Sequence, residues 1–211
     1  MITKEDIKNK LDIMYPNPVC ELIYNKDYEL LIAVVLSAHS TDASVNKATK
    51  VLFDKYDIFS LSQAKIEDIQ GIIRVVGSYT RKAFFVSNIA KILVRDNNGS
   101  VPNDRDYLES LPGVGRKTAS VVLANLFNEP TIAVDTHVFR VSARLGISTA
   151  DDSLALIEHK LMKKFPKKEW NRINDQLVLF GRYTCKSIKP KCAKCLFNDK
   201  CELAQYLKHA S

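Results

Sequence analysis

Six side chains of this sequence have the types and spacing that chemistry requires. Lys117 follows the stretch Pro-Gly-Val-Gly-Arg at 112–116, and Asp135 lies eighteen residues further on. A deprotonated amine is a nucleophile, and a carboxylate near it can accept a proton or stabilise a developing positive charge. Four cysteines near the C-terminus could hold a metal: Cys185, Cys192, Cys195 and Cys201.

The glycine-containing stretch LPGVGRKT, residues 111–118, separates two segments with helical patterns, 104–110 and 116–125. Gly113 and Gly115 can adopt positive φ and allow a foreign backbone to approach closely. The N–H groups that open the second helix lie at the positive end of its dipole, which suits a DNA phosphate. The pattern predicts a helix–hairpin–helix motif over about 104–125, with Gly113, Val114 and Gly115 contacting DNA.

Lys117 lies at the start of that second helix. The helix dipole and desolvation both disfavour its ammonium form, so we expect an amine that loses its proton readily. The alternative is an ordinary phosphate-binding lysine. The segment VDTHVFR at 134–140 favours a nucleophile, because Asp135 precedes a helical pattern and is a candidate N-cap. A carboxylate held there can face the same cleft as Lys117.

The four cysteines are separated by six, two and five residues. Clustered thiols in a chain with no secretory signal argue for a metal rather than for disulfides. Four cysteines suit either structural zinc or an iron–sulfur cluster. Zinc ribbons usually bring together two Cys-x-x-Cys pairs, and only Cys192 and Cys195 form one here. The loop also carries lysines that could contact phosphate: Lys186, Lys189, Lys191, Lys194 and Lys200.

The motifs LPGVGRKTA and TIAVDTHVFR, together with the cysteine spacing, resemble the endonuclease III family of helix–hairpin–helix DNA glycosylases. The resemblance covers almost the whole chain and implies a 4Fe–4S cluster on the four cysteines, with no other cofactor. It implies a six-helix domain at 22–129 that contains the hairpin. Residues 1–21 and 130–211 would form an iron–sulfur domain carrying the catalytic Asp135, with its cluster loop at 185–201.

The resemblance also implies an activity, which is the removal of oxidised pyrimidines from duplex DNA during base excision repair. Lys117 would form a Schiff base with the damaged nucleotide's sugar, and β-elimination would cut the strand 3′ to the abasic site. Asp135 would assist base release. The target nucleotide must first leave the base stack. The expected partner is therefore double-stranded DNA with damaged bases or abasic sites.

Two positions depart from the family pattern. His39 stands where the family usually has a Gln that fills the gap left by the flipped nucleotide. Ser78 stands where it usually has a bulky apolar residue that wedges the opposite strand. Both are predicted to contact DNA, and both leave open a mismatch thymine or uracil glycosylase on the same scaffold. A non-catalytic DNA-binding module is the alternative from a different class.

The composition sets the remaining expectations. The net charge is +7, of which +1 falls in residues 1–150 and +6 in residues 151–211, so the C-terminal third suits a polyanion. The first ten residues are charged and resemble no signal peptide. The longest apolar run, 30–36, is too short to cross a membrane. We expect a cytoplasmic monomer that associates with the nucleoid through DNA.

The apolar periodicity is helical throughout and predicts an all-α fold of two domains. Alternating strand patterns are absent. Helices are predicted at 4–14, 28–37, 42–56, from after Ser62 to about Val76, at 80–97, over the two hairpin segments, after Asp135, at 151–165 and at 170–183. The turn at 97–99 is expected to end the helix at 80–97. Apolar positions at helical spacing are expected to face inward: Val45, Ala48, Val51 and Leu52; Ala83, Val86, Ile89, Ala90 and Leu93; and Val134, Val138, Val141 and Leu145. Arg81 and Lys82 follow the turn at 77–79 and are expected to be exposed bases that could contact phosphate.

Overall fold

The computed structural model describes residues 2–209, apart from the side chain of His209. Within these residues the regular elements are all helical, as the sequence predicts. The chain divides into two compact units, one at 20–128 and the other composed of 1–19 and 129–211. The predicted roles of these two stretches, a six-helix domain and an iron–sulfur domain, stay a proposal.

The contiguous unit, 20–128, contains seven α-helices. They are α2 (Asp27–Ser37), α3 (Asp42–Lys55), α4 (Ile58–Gln63), α5 (Ile66–Ile73), α6 (Tyr79–Asn97), α7 (Arg105–Ser110) and α8 (Arg116–Phe127). α2 is the centre of this unit. Its residues from Tyr28 to Leu36 are all buried, and it packs against α3, α6 and α8. A helix that is apolar on every side must be surrounded by others.

α6 shows how local sequence sets the ends of a helix. Its predicted inward positions Ala83, Val86, Ile89, Ala90 and Leu93 are all fully buried. The helix ends at Asn98 and Gly99, which both have positive φ, and the Gly99 amide donates to the Leu93 carbonyl at 2.9 Å. Asn and Gly tolerate this left-handed backbone, which satisfies carbonyls at the helix end.

The second unit contains five α-helices in the described residues: α1 (Lys4–Met14), α9 (Thr136–Arg144), α10 (Leu154–Lys164), α11 (Trp170–Tyr183) and α12 (Glu202–His209). α11 packs against α9 and α1. Gly181 permits the close approach of α9, since a Cβ at Gly181 would lie 2.8 Å from the Cβ of His137. The predicted stripe of α9 is buried: Val134, Val138, Val141 and Leu145.

α1 is fastened to the C-terminal part of the same unit. Lys10 pairs with Asp199 at 3.1 Å, and Asp6 pairs with Lys200 at 2.8 Å. The hydroxyls of Tyr15 and Thr184 are 2.8 Å apart. The segment at 2–19 is therefore held by side-chain contacts as well as by its buried residues.

The structure corrects two helical predictions. The helix predicted between Ser62 and Val76 is α5, which begins only after Lys65, and Ser62 lies inside a preceding helix, α4, that was not predicted. Asp57 starts α4 by accepting a hydrogen bond from the Ser60 amide at 2.7 Å, which is an N-cap that the sequence analysis missed. Val51, expected inward on α3, is 52% exposed. None of the helices in the described residues is long and apolar enough to cross a membrane.

Candidate active site and cysteine-lined cavity

The predicted hairpin is a tight turn between α7 and α8. The Val114 amide donates to the Leu111 carbonyl at 3.1 Å, and Gly113 between them has φ +80°. The side chain of Phe85 fills the space beside this turn, so a Cβ at Gly113 would lie 2.4 Å from the ring. The guanidinium carbon of Arg81 lies over the same ring, 5.2 Å from its centroid. Gly113 is therefore required for two reasons: its positive φ disfavours other residues, and the Phe85 ring leaves no room for a side chain.

Gly115 is the N-cap of α8 and has extended backbone, with φ −107°. The expectation of positive φ thus holds for Gly113 and is wrong for Gly115. Gly115 has no side chain to cap the helix, whereas a side chain caps α1, α3, α4, α7, α9 and α10. A Cβ at Gly115 would meet nothing within 4 Å. The helix start is thus open to an external anion.

The side chain and the amide of Val114 are not available for the DNA contact that the sequence predicts. Its side chain is 6% exposed and its amide is used by the turn. Its side chain packs the hairpin against the core. Any direct contact with a ligand falls to its carbonyl or to neighbouring residues.

Lys117 is the second residue of α8, and its side chain is exposed. The unit that contains it therefore does not supply the desolvation expected from the sequence. The helix start still places the amine at the positive end of the α8 dipole. Bound substrate would have to exclude the water.

Asp135 is the N-cap of α9, as predicted. Its Oδ1 accepts hydrogen bonds from the amides of His137 and Val138, each at 2.8 Å. Two amides hold one oxygen, and this fixes the orientation of the carboxylate. Asp135 is half-buried, so part of its side chain is accessible.

His137 and Arg140 lie behind Asp135 within the same unit. His137 Nδ1 is 3.2 Å from an Arg140 guanidinium nitrogen. Arg140 donates to the carbonyls of Gly181 at 2.8 Å and Cys185 at 3.1 Å. Burial lowers the pKa of Arg140, and the nearby Arg144 adds to this. The helix that carries Asp135 is thus joined to the start of the cysteine loop.

The four cysteines line one cavity. Its other walls include Leu145, Phe180, Phe197 and Ala204. Arg144 donates to the Cys185 sulfur at 3.4 Å and to the Lys186 carbonyl at 2.7 Å. No group of three or more His, Cys, Asp or Glu side chains among residues 2–209 is arranged to hold a metal ion. Four thiols around one cavity are nevertheless a donor set suited to a cluster that takes one thiolate per iron.

The surroundings of these thiols disfavour their charged thiolate form. Burial raises the pKa of Cys195 to about 11. Burial also raises the pKa of Cys192, and the nearby Cys201 and Cys185 add to this. Thiolates become favourable in such a place once a positively charged group binds there.

Comparisons with known proteins show the family to which the chain belongs. Residues 32–167 match the HhH-GPD superfamily of base excision DNA repair proteins. The chain is 45% identical to endonuclease III of Bacillus subtilis (strain 168) over 201 residues, covering 93% of this chain and 90% of that protein. It is 42% identical to endonuclease III of Escherichia coli (strain K12), covering 93% of each. The chain belongs to the endonuclease III family.

Solved structures give the same result. A trapped covalent intermediate of an endonuclease III with DNA superposes with a TM-score of 0.92 at 45% identity, covering 99% of this chain and 100% of that one. A non-covalent endonuclease III–DNA complex has a TM-score of 0.93 at 44% identity, with the same coverage. A thermostable thymine-DNA glycosylase has a TM-score of 0.81 at 23% identity, which shows a shared fold alone.

The two positions that depart from the endonuclease III pattern lie in exposed loops of the contiguous unit. His39 has φ 53° and Ser78 has φ 56°, so both hold left-handed backbone that few residues adopt without support. Ser78 is the N-cap of α6, although its side chain makes no capping bond. The next residue, Tyr79, is 39% exposed and is a bulky side chain that the sequence analysis did not consider as a wedge.

The burial of Lys82 differs most from what the sequence predicts. It was expected to be an exposed base near phosphate, and it is 4% exposed. Burial lowers the pKa of its ammonium group. A signal was present, because the helical stripe of Ala83, Val86 and Ile89 places position 82 at the edge of the buried face.

Not all the lysines of the predicted basic loop are free to contact phosphate. Lys186, Lys189, Lys191 and Lys194 are exposed. Lys200 pairs with Asp6 instead, and the loop's Asp199 pairs with Lys10. The first four lysines remain available to a phosphate backbone.

Proposed function

We propose that this chain is a bifunctional DNA glycosylase and abasic-site lyase that removes oxidised pyrimidines from duplex DNA, with Lys117 and Asp135 as its catalytic residues. The observation that carries the proposal is Lys117 in the first turn of a helix whose start has no side-chain cap. A nucleophile is thereby placed beside an anion-binding position. The trapped covalent complex of the 45% identical endonuclease III with DNA supports it.

The first step is displacement of the damaged base. The lone pair of the Lys117 amine attacks C1′ of the flipped nucleotide, and the C1′–N bond breaks with its electrons leaving on the base, which takes up a proton. Asp135 accepts the proton that the amine loses or stabilises the positive charge that develops on the sugar. Its amide contacts hold Oδ1 in place and fix the orientation of the carboxylate.

The second step cuts the strand. Opening of the sugar ring gives an imine between Lys117 and C1′, and the imine withdraws electrons from C2′. A proton leaves C2′, a double bond forms to C3′, and the C3′–O bond breaks with its electrons leaving on the phosphate. Water then hydrolyses the imine and releases Lys117.

The DNA backbone is held in two places. The amides at the start of α8, beside Gly113 and Gly115, bind one phosphate. The exposed lysines of the cysteine loop bind others and make affinity fall with salt: Lys186, Lys189, Lys191 and Lys194. Cytoplasmic location and association with the nucleoid follow from this substrate.

We also propose that Cys185, Cys192, Cys195 and Cys201 hold a 4Fe–4S cluster. The support is a cavity lined by all four thiols and by apolar side chains. The four thiolates would hold the cluster, which would crosslink the loop, while proton transfer and attack on the sugar would fall to Asp135 and Lys117. Residues 185–201 contain only short helical turns, so the loop has little regular structure of its own.

Borohydride reduction tests the catalytic assignment, because it converts an imine to a stable amine adduct with DNA. The wild type should be trapped on duplex that contains an abasic site. Lys117→Ala should lose trapping and strand cleavage and keep most of its binding. Lys91→Ala, an exposed lysine on α6, is the matched control. Full trapping by Lys117→Ala would identify another amine as the nucleophile.

Metal analysis tests the cluster. Protein purified without oxygen should contain iron and sulfide in equal amounts. Cys192→Ser should lose iron, whereas Cys20→Ser, a half-buried cysteine of the other unit, should retain it. Stoichiometric zinc without iron would contradict the proposal.

A second candidate, a mismatch thymine or uracil glycosylase, is favoured by His39 and Ser78. A panel of duplexes that carry thymine glycol, uracil, mismatched thymine or an abasic site separates the two. Faster release of mismatched thymine than of thymine glycol would favour the second candidate. A protein that binds every duplex and cleaves none would be a non-catalytic module.

A further inference from the structure

Lys82 joins two loops that are far apart in sequence. Its ammonium group donates to the carbonyls of Leu36 at 2.8 Å and Ala38 at 2.5 Å, and to the hydroxyl of Ser40 at 3.0 Å. An ammonium group has three donors, so the three contacts satisfy it. The acceptors are neutral, and they surround the loop that carries His39.

The position of the charge explains why a lysine is suited to this place. Leu36 lies in the last turn of α2, and Ala38 is its C-cap. Carbonyls at a helix end lack partners within the helix and carry its negative dipole. α2 has no basic residue in its own last turn, and Lys82 supplies one from α6.

Ser40 completes the connection. Its hydroxyl accepts from Lys82 and also from the Gly77 amide at 3.0 Å. Gly77 precedes Ser78, and a Cβ at Gly77 would lie 3.0 Å from the His39 carbonyl oxygen. The two loops thus touch through backbone and share one hydroxyl.

We propose that Lys82, acting with Ser40, is a positioning residue that holds His39 and Ser78 at a fixed separation for insertion into the gap beside a flipped nucleotide. This rests on the proposed function. Left-handed backbone at both positions needs outside support, and the contacts of Lys82 and Ser40 provide it. The same helix also carries Phe85, which packs under Gly113, so one rigid segment relates the gap-filling loops to the phosphate-binding hairpin.

The test compares two substrates. One is duplex with thymine glycol opposite 2-aminopurine, whose fluorescence rises when it loses stacking as the gap is filled. The other is an abasic site in single-stranded DNA, which has no opposite base and no gap. Lys82→Met keeps the apolar stem and removes the three donors. It should slow the fluorescence rise and base release about ten-fold or more, and change single-strand cleavage less than two-fold.

Further variants separate positioning from stability. Ser40→Ala should slow the fluorescence rise about three-fold, and Ser40→Thr, which retains a hydroxyl, should restore it. Leu93→Ala removes buried contacts near the other end of α6 and should lower the melting temperature with no selective effect on the duplex. If Lys82→Met does not fold, the pair of Ser40 variants decides.

Equal slowing on both substrates, or no slowing on the duplex, would overturn the positioning role while leaving the proposed function intact. A wild type that cleaves neither substrate would overturn the proposed function and this inference with it. Slower base release on the duplex, with single-strand cleavage preserved, would establish the positioning role of Lys82.

Discussion

Arg140 donates from Nε to the backbone carbonyl of Cys185 at 3.1 Å, and this bond joins the helix that begins at Asp135 to the first cysteine of the loop. The same guanidinium reaches Gly181. Arginine is suited to this task because its planar group presents several donors at fixed angles.

Arg140→Met should therefore destabilise the cysteine loop. A hydrogen bond from a charged group contributes about 1.5–3 kcal/mol, so loss of the two bonds to Gly181 and Cys185 should cost about 3–6 kcal/mol. Hydrogen exchange at 185–195 and the melting temperature measure the effect. Arg74→Met, an exposed arginine of the other unit, is the control. Unchanged exchange in the loop would show that the arginine is dispensable.

Asp135→Asn should retain the fold and lose activity. Asn caps helices about as well as Asp, so stability should change by less than about 1 kcal/mol. Without the carboxylate, base release should slow by about 10²–10⁴. Single-turnover kinetics on thymine glycol duplex give the rate. Asp57→Asn makes the same change at the N-cap of α4 and should leave the rate unaltered. A similar loss in both variants would point to damage of the fold.

Ser78→Leu should raise the rate on lesions within well-stacked duplex, because a larger side chain can fill the gap that Ser78 leaves. The wild type should prefer abasic sites and distorting lesions such as thymine glycol, whose pairs are already weak. The left-handed backbone at Ser78 makes Leu costly by about 1–2 kcal/mol. Single-turnover cleavage of each lesion measures the change in rate that remains despite this backbone cost.

Two controls accompany this substitution. Ser78→Gly relieves the backbone and adds no wedge, so it should not raise the rate. His39→Gln should cost little, since both side chains fill space and form hydrogen bonds. If Ser78→Leu changes no lesion's rate, the exposed Tyr79 becomes the next candidate for the wedge.

Asp175 should make stability depend on pH. Burial raises its pKa to about 6, against 3.8 for an ordinary aspartate. Between these values the folded protein binds more protons than the unfolded chain, so stability falls as pH rises and stays reduced above pH 6. Asp175→Asn should be more stable at pH 7.5 by up to about 3 kcal/mol, with the gain disappearing below pH 4.

Urea denaturation at several pH values measures this difference. Asp151→Asn, at an exposed position, should show no such trend. A gain for Asp175→Asn that is the same at pH 4 and pH 7.5 would show that the buried charge is not its cause.

The sequence was informative where a residue type has one dominant local role. Asp135 as N-cap, Asn98 with Gly99 as a helix end, and Gly113 in the hairpin all follow from backbone preferences. The buried stripe of α9 follows from its period. These features depend on neighbours within four residues, which a sequence displays directly.

The sequence was misleading where a role depends on distant residues. Lys82 and Lys200 read as charges free to contact phosphate, whereas their contacts are with protein groups that lie 42–46 and 194 positions away respectively. Val51 fits the period of α3 but is 52% exposed. Neither spacing nor composition contains that information, because tertiary packing determines it.

The attachment of α1 to Asp199 and Lys200 has a consequence for the order of assembly during translation. Residues 20–128 are contiguous and can fold as soon as they leave the ribosome, since domains generally form as units while synthesis continues. α1 is synthesised before residues 20–128, yet its partners in α11 and in the cysteine loop are synthesised after them. α1 therefore waits without these partners until the residues around Lys200 have been made.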